Sequence, residues 1–170
     1  MKWMERLISY MYELQVANQK TERDKQIEAL QERIHQGDGI VEIDGETMRS
    51  LLRGAIPDLN AFMKHYRLDD KYWLPSREIF DEIIRLDWTD EKEYRSERFD
   101  CDDFSVQFKA RVCDVYDLNN VGIVVDYNSS HSYNIVVLAD QSVWAFEPQS
   151  DRYYTIGDVL YKMAWGVLLL

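Results

Sequence analysis

The chain has 170 residues, of which 46% are hydrophobic, 13% aromatic and 30% charged. This length suits one globular domain with its own core, and the even spread of apolar and aromatic residues excludes a disordered protein. The 31 acidic and 20 basic residues leave a net charge of −11. That charge excludes a general nucleic-acid-binding protein, because contact with phosphates requires a basic surface.

Cysteine content and hydropathy argue against a disulfide-rich, zinc-binding, secreted or membrane-spanning protein. Two cysteines form no disulfide framework, and with three scattered histidines they show no zinc-binding spacing. Glu5 and Arg6 interrupt the first apolar run, so no secretory signal is predicted. No stretch reaches the roughly 20 apolar residues of a membrane helix. We therefore expect a cytoplasmic protein that contacts neither nucleic acid nor a membrane.

Residues 3–35 are predicted to form one long helix. Its apolar positions recur every three or four residues: Met4, Ile8, Met11, Leu14, Ile27, Leu30 and Ile34. Residues 17–26 between them are almost wholly polar and should face solvent. We assign residues 1–36 to an N-terminal helical arm and residues 40–170 to the main domain. The arm is a packing or coiled-coil segment that joins two copies, or a helix that binds another partner.

The middle of the chain predicts a short strand and two helices. The strand covers residues 40–43, after the turn at Gly37-Asp38-Gly39. One helix starts near Thr47 and ends before Pro57, and the next starts near Ser76. Residues 87–98 are charged and predict a loop.

The last seventy residues predict a helix followed by an antiparallel meander. The helix covers residues 100–112, with Asp100 as its N-cap and Asp103 in the capping-box position. Strands are predicted over residues 121–127, 132–138 and 142–146, and residues 139–141 turn between the last two. The fold class is therefore α+β.

Cys101, His131 and Glu147 are the candidate site residues. Cys101 opens the helix, where free N–H groups and the helix dipole favour a thiolate. His131 opens a predicted strand and Glu147 closes the next, so a hairpin centred near residue 139 places them opposite each other or on a diagonal. A thiol, a base and an orienting acid are the parts of nucleophilic catalysis. Cys113 is expected in the core.

Short motifs around these residues are similar to those of known cysteine peptidases. They are Phe99-Asp100-Cys101-Asp102-Asp103-Phe104, His131-Ser132-Tyr133-Asn134, Phe146-Glu147-Pro148-Gln149-Ser150-Asp151 and, upstream, Ile56-Pro57-Asp58 and Tyr72-Trp73-Leu74-Pro75-Ser76. Over roughly residues 42–154 the chain resembles the papain-like and transglutaminase-like cysteine peptidases. The likeness is strongest to the C-terminal catalytic domain of the fairy-ring mushroom agglutinin and its small phage and bacterial relatives.

The resemblance implies a papain-like or transglutaminase-like fold, in which the helix bearing Cys101 packs on an antiparallel sheet. It implies a peptidase or amidase acting on a protein or peptide, with Cys101 as nucleophile, His131 as general base and acid, and Glu147 orienting the imidazole. Acyl transfer to an amine remains open. The alternative is a non-catalytic interaction or inhibitor protein of the same fold, encoded by a phage and binding a host protein.

The resemblance also implies a calcium requirement, and the charges near Cys101 give it a physical reason. Asp102 and Asp103 lie beside the thiol, and their negative charges oppose a thiolate. A bound cation would remove this conflict, and carboxylate oxygens are the ligands that calcium prefers. Asp102 and Asp103 are therefore the candidate metal ligands.

Overall fold

The computed structural model describes residues 2–56, 59 and 63–170. Met1 lies outside the described residues, as do Pro57 and Asp58 from the motifs above. The helices are α1 (Lys2–His35), α2 (Gly45–Ala55), α3 (Arg77–Leu86) and α4 (Cys101–Tyr116). The strands are β1 (Ile40–Asp44), β2 (Met63–Tyr66), β3 (Lys71–Pro75), β4 (Val121–Asp126), β5 (His131–Val137), β6 (Val143–Glu147), β7 (Arg152–Tyr154) and β8 (Gly166–Leu169).

Six of these strands form the main sheet, in the order β2-β8-β4-β5-β6-β7. The pair β2–β8 is parallel, and every other neighbouring pair is antiparallel. A separate two-stranded antiparallel sheet joins β1 to β3. None of the described helices is long and apolar enough to cross a membrane.

The main sheet is buried on both faces because its central strands alternate. On β5, Tyr133, Ile135 and Val137 enter the core beside α2, whereas Val136 enters the core beneath α1, α3 and α4. Two-residue alternation along a strand produces this division. Each face of the sheet therefore packs against its own layer of the core.

Side-chain caps set the starts of the helices. The Ser76 hydroxyl accepts the Ile79 N–H at the start of α3, and the Asp44 carboxylate accepts the Thr47 N–H at the start of α2. At α4 the predicted capping box between Asp100 and Asp103 is present, and in it the Asp103 carboxylate accepts the Asp100 N–H at 3.2 Å. Local sequence chemistry therefore fixes where Cys101 enters its helix.

Two parts of the chain depart from the predictions. Cys113 is exposed and not in the core, because it lies one residue beyond Val112 and thus off the buried stripe of α4. The strands β2, β3 and β7 follow short mixed runs without alternation and were not predicted. Strand β8, near the end of the sequence, is not among the predicted strands either.

Candidate functional site

His131 and Glu147 are joined by a short hydrogen bond. The His131 Nε2 atom lies 2.6 Å from a carboxylate oxygen of Glu147, and both side chains are largely shielded from solvent. The hairpin pairs Asn134 with Phe146, so its centre falls near residue 140 and the two side chains are diagonal neighbours. Diagonal pairs on one strand face reach each other, and the predicted pairing of these two residues is present.

Tyrosines enclose this pair. The Tyr161 hydroxyl lies 3.3 Å from the Glu147 carboxylate, and the Tyr133 ring packs against both His131 and Tyr161. Burial is the main cause that raises the pKa of Tyr133 and of Tyr161 well above the usual tyrosine range. Both tyrosines are therefore neutral hydroxyl donors at any physiological pH.

Cys101 reaches this region through its helix. One turn beyond Cys101, the Ser105 hydroxyl lies 2.7 Å from the Ser132 hydroxyl, and Asn134 donates to the Ser105 carbonyl at 2.9 Å. These bonds attach the first turns of α4 to the start of β5, where His131 lies. Within the described part of the chain no hydrogen bond joins Cys101 to His131, whose side chain turns toward the tyrosines.

An acidic cluster surrounds the thiol. Asp100, Cys101 and Asp102 place one ligand atom each within 4.8 Å of one another. A hydrogen bond between the two carboxyl groups raises the pKa of Asp102 and lowers that of Asp100. Asp103 instead accepts the Asp100 N–H. Two carboxylates fall short of the roughly six to eight oxygens that calcium takes, so these residues do not by themselves complete a calcium site.

A second concave region lies at the other end of the molecule, and we name it the Trp73 cleft. It has a volume of about 550 Å³ and is lined by Ile34, His35, Gly37, Ile40, Glu42, Trp73, Tyr116, Asp117 and Leu118. Its floor is apolar. The Trp73 ring is 39% exposed and forms a wall. The polar rim comes from His35, Glu42 and Asp117.

Hydrogen bonds hold the wall and rim of this cleft. Glu42 stands opposite Trp73 in the β1–β3 ladder, and its carboxylate pairs with Lys71 at 2.6 Å. His35 Nε2 lies 3.0 Å from the Asp117 carboxylate. The backbone N–H of Trp73 donates a hydrogen bond to the Asn119 side-chain oxygen, Oδ1, at 3.1 Å. Sequence reasoning missed the cleft because three segments that lie far apart in the chain build it.

Comparison with known families gives a match over most of the chain. The family model described as "Ricin-type beta-trefoil lectin C-terminal domain" matches residues 48–165, which is more than two thirds of the chain. The chain belongs to this family. A separate comparison with curated proteins gave no match.

Solved structures resemble the chain as well. One, named "PSL1a-E64 complex", has a TM-score of 0.60 and 25% sequence identity, and the likeness covers 76% of this chain and 51% of that one. The other is the Polyporus squamosus lectin bound to the "human-type influenza-binding epitope Neu5Aca2-6Galb1-4GlcNAc", with the same TM-score and identity, covering 76% and 49%. The chain thus spans about half the length of these structures.

These findings correct the predicted family and fold. The family model and the Polyporus squamosus lectin are named for lectins, so the assignment to papain-like or transglutaminase-like cysteine peptidases is wrong. The motifs behind it are short, and their residues have structural roles here. Asp100 and Asp103 take part in the helix cap, and Phe99 packs edge-on against Phe104 with ring centroids 4.7 Å apart.

The predicted activity is corrected on the same finding. Neither the cysteine hydrolase nor the phage-encoded inhibitor is supported, because the matching family is that of a lectin domain and a neighbour is a lectin. The positions of Cys101, His131 and Glu147 are a separate matter. The comparisons name no residues, so a ligand site at these three side chains stays a prediction, as does calcium at Asp102 and Asp103.

Proposed function

We propose that this chain is a lectin-related domain that binds carbohydrate, and that the sugar lies in the Trp73 cleft. Family membership and the glycan-bound Polyporus squamosus lectin support a sugar as the ligand. The cleft supports the location, because it combines an exposed tryptophan with an apolar floor and a polar rim. Concave sites of this composition are where small ligands bind in proteins.

The chemistry of the cleft suits a pyranose ring. A sugar has an apolar C–H face that packs on an aromatic ring, and hydroxyl groups around its edge that donate hydrogen bonds. Trp73 supplies the aromatic surface. The carboxylates of Glu42 and Asp117 are hydrogen-bond acceptors at the rim, so the face and the edge of the sugar would both find partners.

Charge predicts which glycan binds better. The chain carries a net charge of −11, so the carboxylate of a sialic acid would approach a negatively charged protein, even though Lys71 pairs with Glu42 and His35 with Asp117 at the rim. One unfavourable charge contact at about 4 Å, screened by bulk water, costs about 1 kcal/mol, or roughly a fivefold loss of affinity. We therefore expect neutral Galβ1-4GlcNAc to bind more tightly than the sialylated trisaccharide.

Isothermal titration of Galβ1-4GlcNAc against the chain and two tryptophan variants tests this proposal. Trp73→Ala should weaken binding by at least about tenfold, which corresponds to 1.4 kcal/mol of lost packing. Trp165→Ala removes an equally large ring that is 55% exposed and lies outside the cleft, and it should bind as the parent does. No binding by the parent chain refutes the function, and equal binding by Trp73→Ala refutes the location.

A second ligand site is proposed at Cys101, His131 and Glu147, because one structural neighbour was solved as a complex with E64. Native mass spectrometry with E64 tests it. One molecule should bind per chain, Cys101→Ala should abolish binding, and Cys113→Ala, which removes the exposed thiol, should leave binding intact. Loss in both variants, or in neither, contradicts this site.

Three further statements stay proposals. The glycan-bound lectin neighbour supports a ligand as the partner of this chain. It gives no support for a protein or peptide as that ligand. Calcium binding by Asp102 and Asp103 should appear as a rise in melting temperature with calcium over chelator, since a ligand that binds only the folded state stabilises it. A cytoplasmic location, expected from the sequence, is tested by fractionation.

A further inference from the structure

The N-terminal half of α1 exposes an apolar stripe. Met4, Ile8, Met11, Tyr12 and Leu14 form this stripe, named the α1 stripe, and each of them is 43–68% exposed. Among the described side chains of α1, those buried in the core belong to its C-terminal half, where Leu30 and Ile34 pack with residues of α3 and α4. A helix face with this many exposed large apolar side chains is typical of an interaction surface.

We propose that the α1 stripe binds the same stripe of a second copy, as an antiparallel helix pair with two-fold symmetry. Its positions follow the spacing of four and three residues that a helix pair requires, from Met4 to Ile8 to Met11. Placing Ile8 opposite the partner's Met11 also places Met11 opposite the partner's Ile8. The surface is therefore complementary to itself, as an interface of two identical copies must be.

The charge distribution favours a second copy and the antiparallel orientation. Residues 1–36 contain six basic and six acidic residues, so the whole net charge of −11 lies in residues 37–170. Neutral helices approach each other without repulsion. An antiparallel pair holds the two acidic domains at opposite ends of a contact about 16 Å long, whereas a parallel pair would bring them side by side.

The open cleft beside the stripe would receive the end of the partner helix. This cleft has a volume of about 610 Å³, and its lining includes Met11, Leu14, Gln15, Arg85 and Leu86. With Ile8 opposite the partner's Met11, the partner's Met4 lies beside Gln15 at the mouth of the cleft. The second copy would thus cover both the stripe and the apolar wall of the cleft.

The area is sufficient for a specific but modest contact. From the exposed fractions, the α1 stripe offers roughly 500 Å² of apolar surface in each copy. The pair would bury about 1,000 Å², near the lower limit for specific interfaces. We therefore expect a dimer that dissociates on dilution into the low micromolar range.

Sedimentation equilibrium of the full chain between 2 and about 200 μM tests the proposal. The mass should rise to twice the chain mass of 20.3 kDa. Ile8→Glu/Met11→Glu places four carboxylates in the contact and should remain at 20.3 kDa throughout. Arg6→Gln/Ser9→Glu lowers the net charge by the same two units on the opposite face of the helix, where both residues are exposed, and should dimerise as the parent does. The melting temperatures of all three should agree, because these side chains are exposed.

Disulfide trapping tests the orientation. In a background with Cys101→Ser and Cys113→Ser, Ile8→Cys and Met11→Cys chains are mixed and oxidised. The antiparallel pair joins chains of different type, because those two positions face each other closely enough for a disulfide. Disulfides between two Ile8→Cys chains contradict the orientation. A parent chain that stays monomeric at the highest concentration refutes the proposal. Binding of such a monomer to lipid vesicles would then assign the α1 stripe to a membrane surface instead of to a second copy.

Discussion

A half-buried carboxylate, that of Asp151, lies in the turn between β6 and β7, and we expect it to destabilise the folded chain at neutral pH. Its side chain is half-buried, and one carboxylate oxygen has no hydrogen-bond partner among the described residues. Burial, followed by the negative charges of Asp90 and Asp87, raises the pKa of Asp151 to about 7 from its usual 3.8. Asp151→Asn removes the charge, and asparagine tolerates the positive φ of 54° at this position.

The direction in which stability changes with pH follows from whether the folded or the unfolded chain holds the Asp151 proton. Between pH 4 and 7 the unfolded chain has released the Asp151 proton while the folded chain still holds it, so stability falls as pH rises through this window. The shift of about three pH units would correspond to about 4 kcal/mol at a fully buried site. Solvent screens a half-exposed carboxylate, so we expect 1–2 kcal/mol, to an order of magnitude.

Urea denaturation of the parent chain and Asp151→Asn at pH 4, 6 and 8 measures the effect. The two free energies of unfolding should agree at pH 4, and the variant should be more stable by about 1–2 kcal/mol at pH 8. The exposed Asp158, replaced by asparagine, is the control and should show no gain that grows with pH. Equal stability of parent and Asp151→Asn at every pH would refute the reasoning.

Substitutions at four further positions are measured by the same denaturation assay. Arg111→Ala leaves the buried Asp87 carboxylate without the guanidinium that lies 2.6 Å away, and it should cost about 3–5 kcal/mol, of which Arg111→Lys recovers only part. Gly166→Ala should cost at least about 2 kcal/mol because its Cβ would overlap a β4 carbonyl, whereas Gly54→Ala, with nothing within 4 Å, should stabilise α2 by roughly 0.5–1 kcal/mol. Asp126→Ala removes a buried acceptor of three hydrogen bonds and should cost about 3 kcal/mol. An unchanged free energy of unfolding would contradict the corresponding contact.

Elements with local signals could be predicted from the sequence. Helices α2, α3 and α4 begin at capping residues such as Asp44 and Ser76, and those caps are visible within four residues of sequence. Strand β2 has no such signal, because it is held by pairing with β8 about a hundred residues away. Its formation depends on contacts that periodicity does not encode.

The site divides in the same way. His131 and Glu147 belong to adjacent strands joined by a short turn, so their proximity was predictable, although the exact register was not. The Trp73 cleft needs the end of α1, the small sheet and the end of α4 together. The family assignment was wrong for a related reason: motifs of four to six residues around Cys101 reflect helix capping and ring packing as readily as chemistry.

The central claim is that the Trp73 cleft binds sugar, and an NMR titration of the ¹⁵N-labelled chain with Galβ1-4GlcNAc tests it most directly. The account predicts saturable shifts in the backbone amides of Gly37, Glu42, Trp73 and Asp117, with those of Cys101 and His131 unchanged. The absence of saturable shifts at millimolar sugar, or shifts confined to the Cys101 and His131 region, would contradict it.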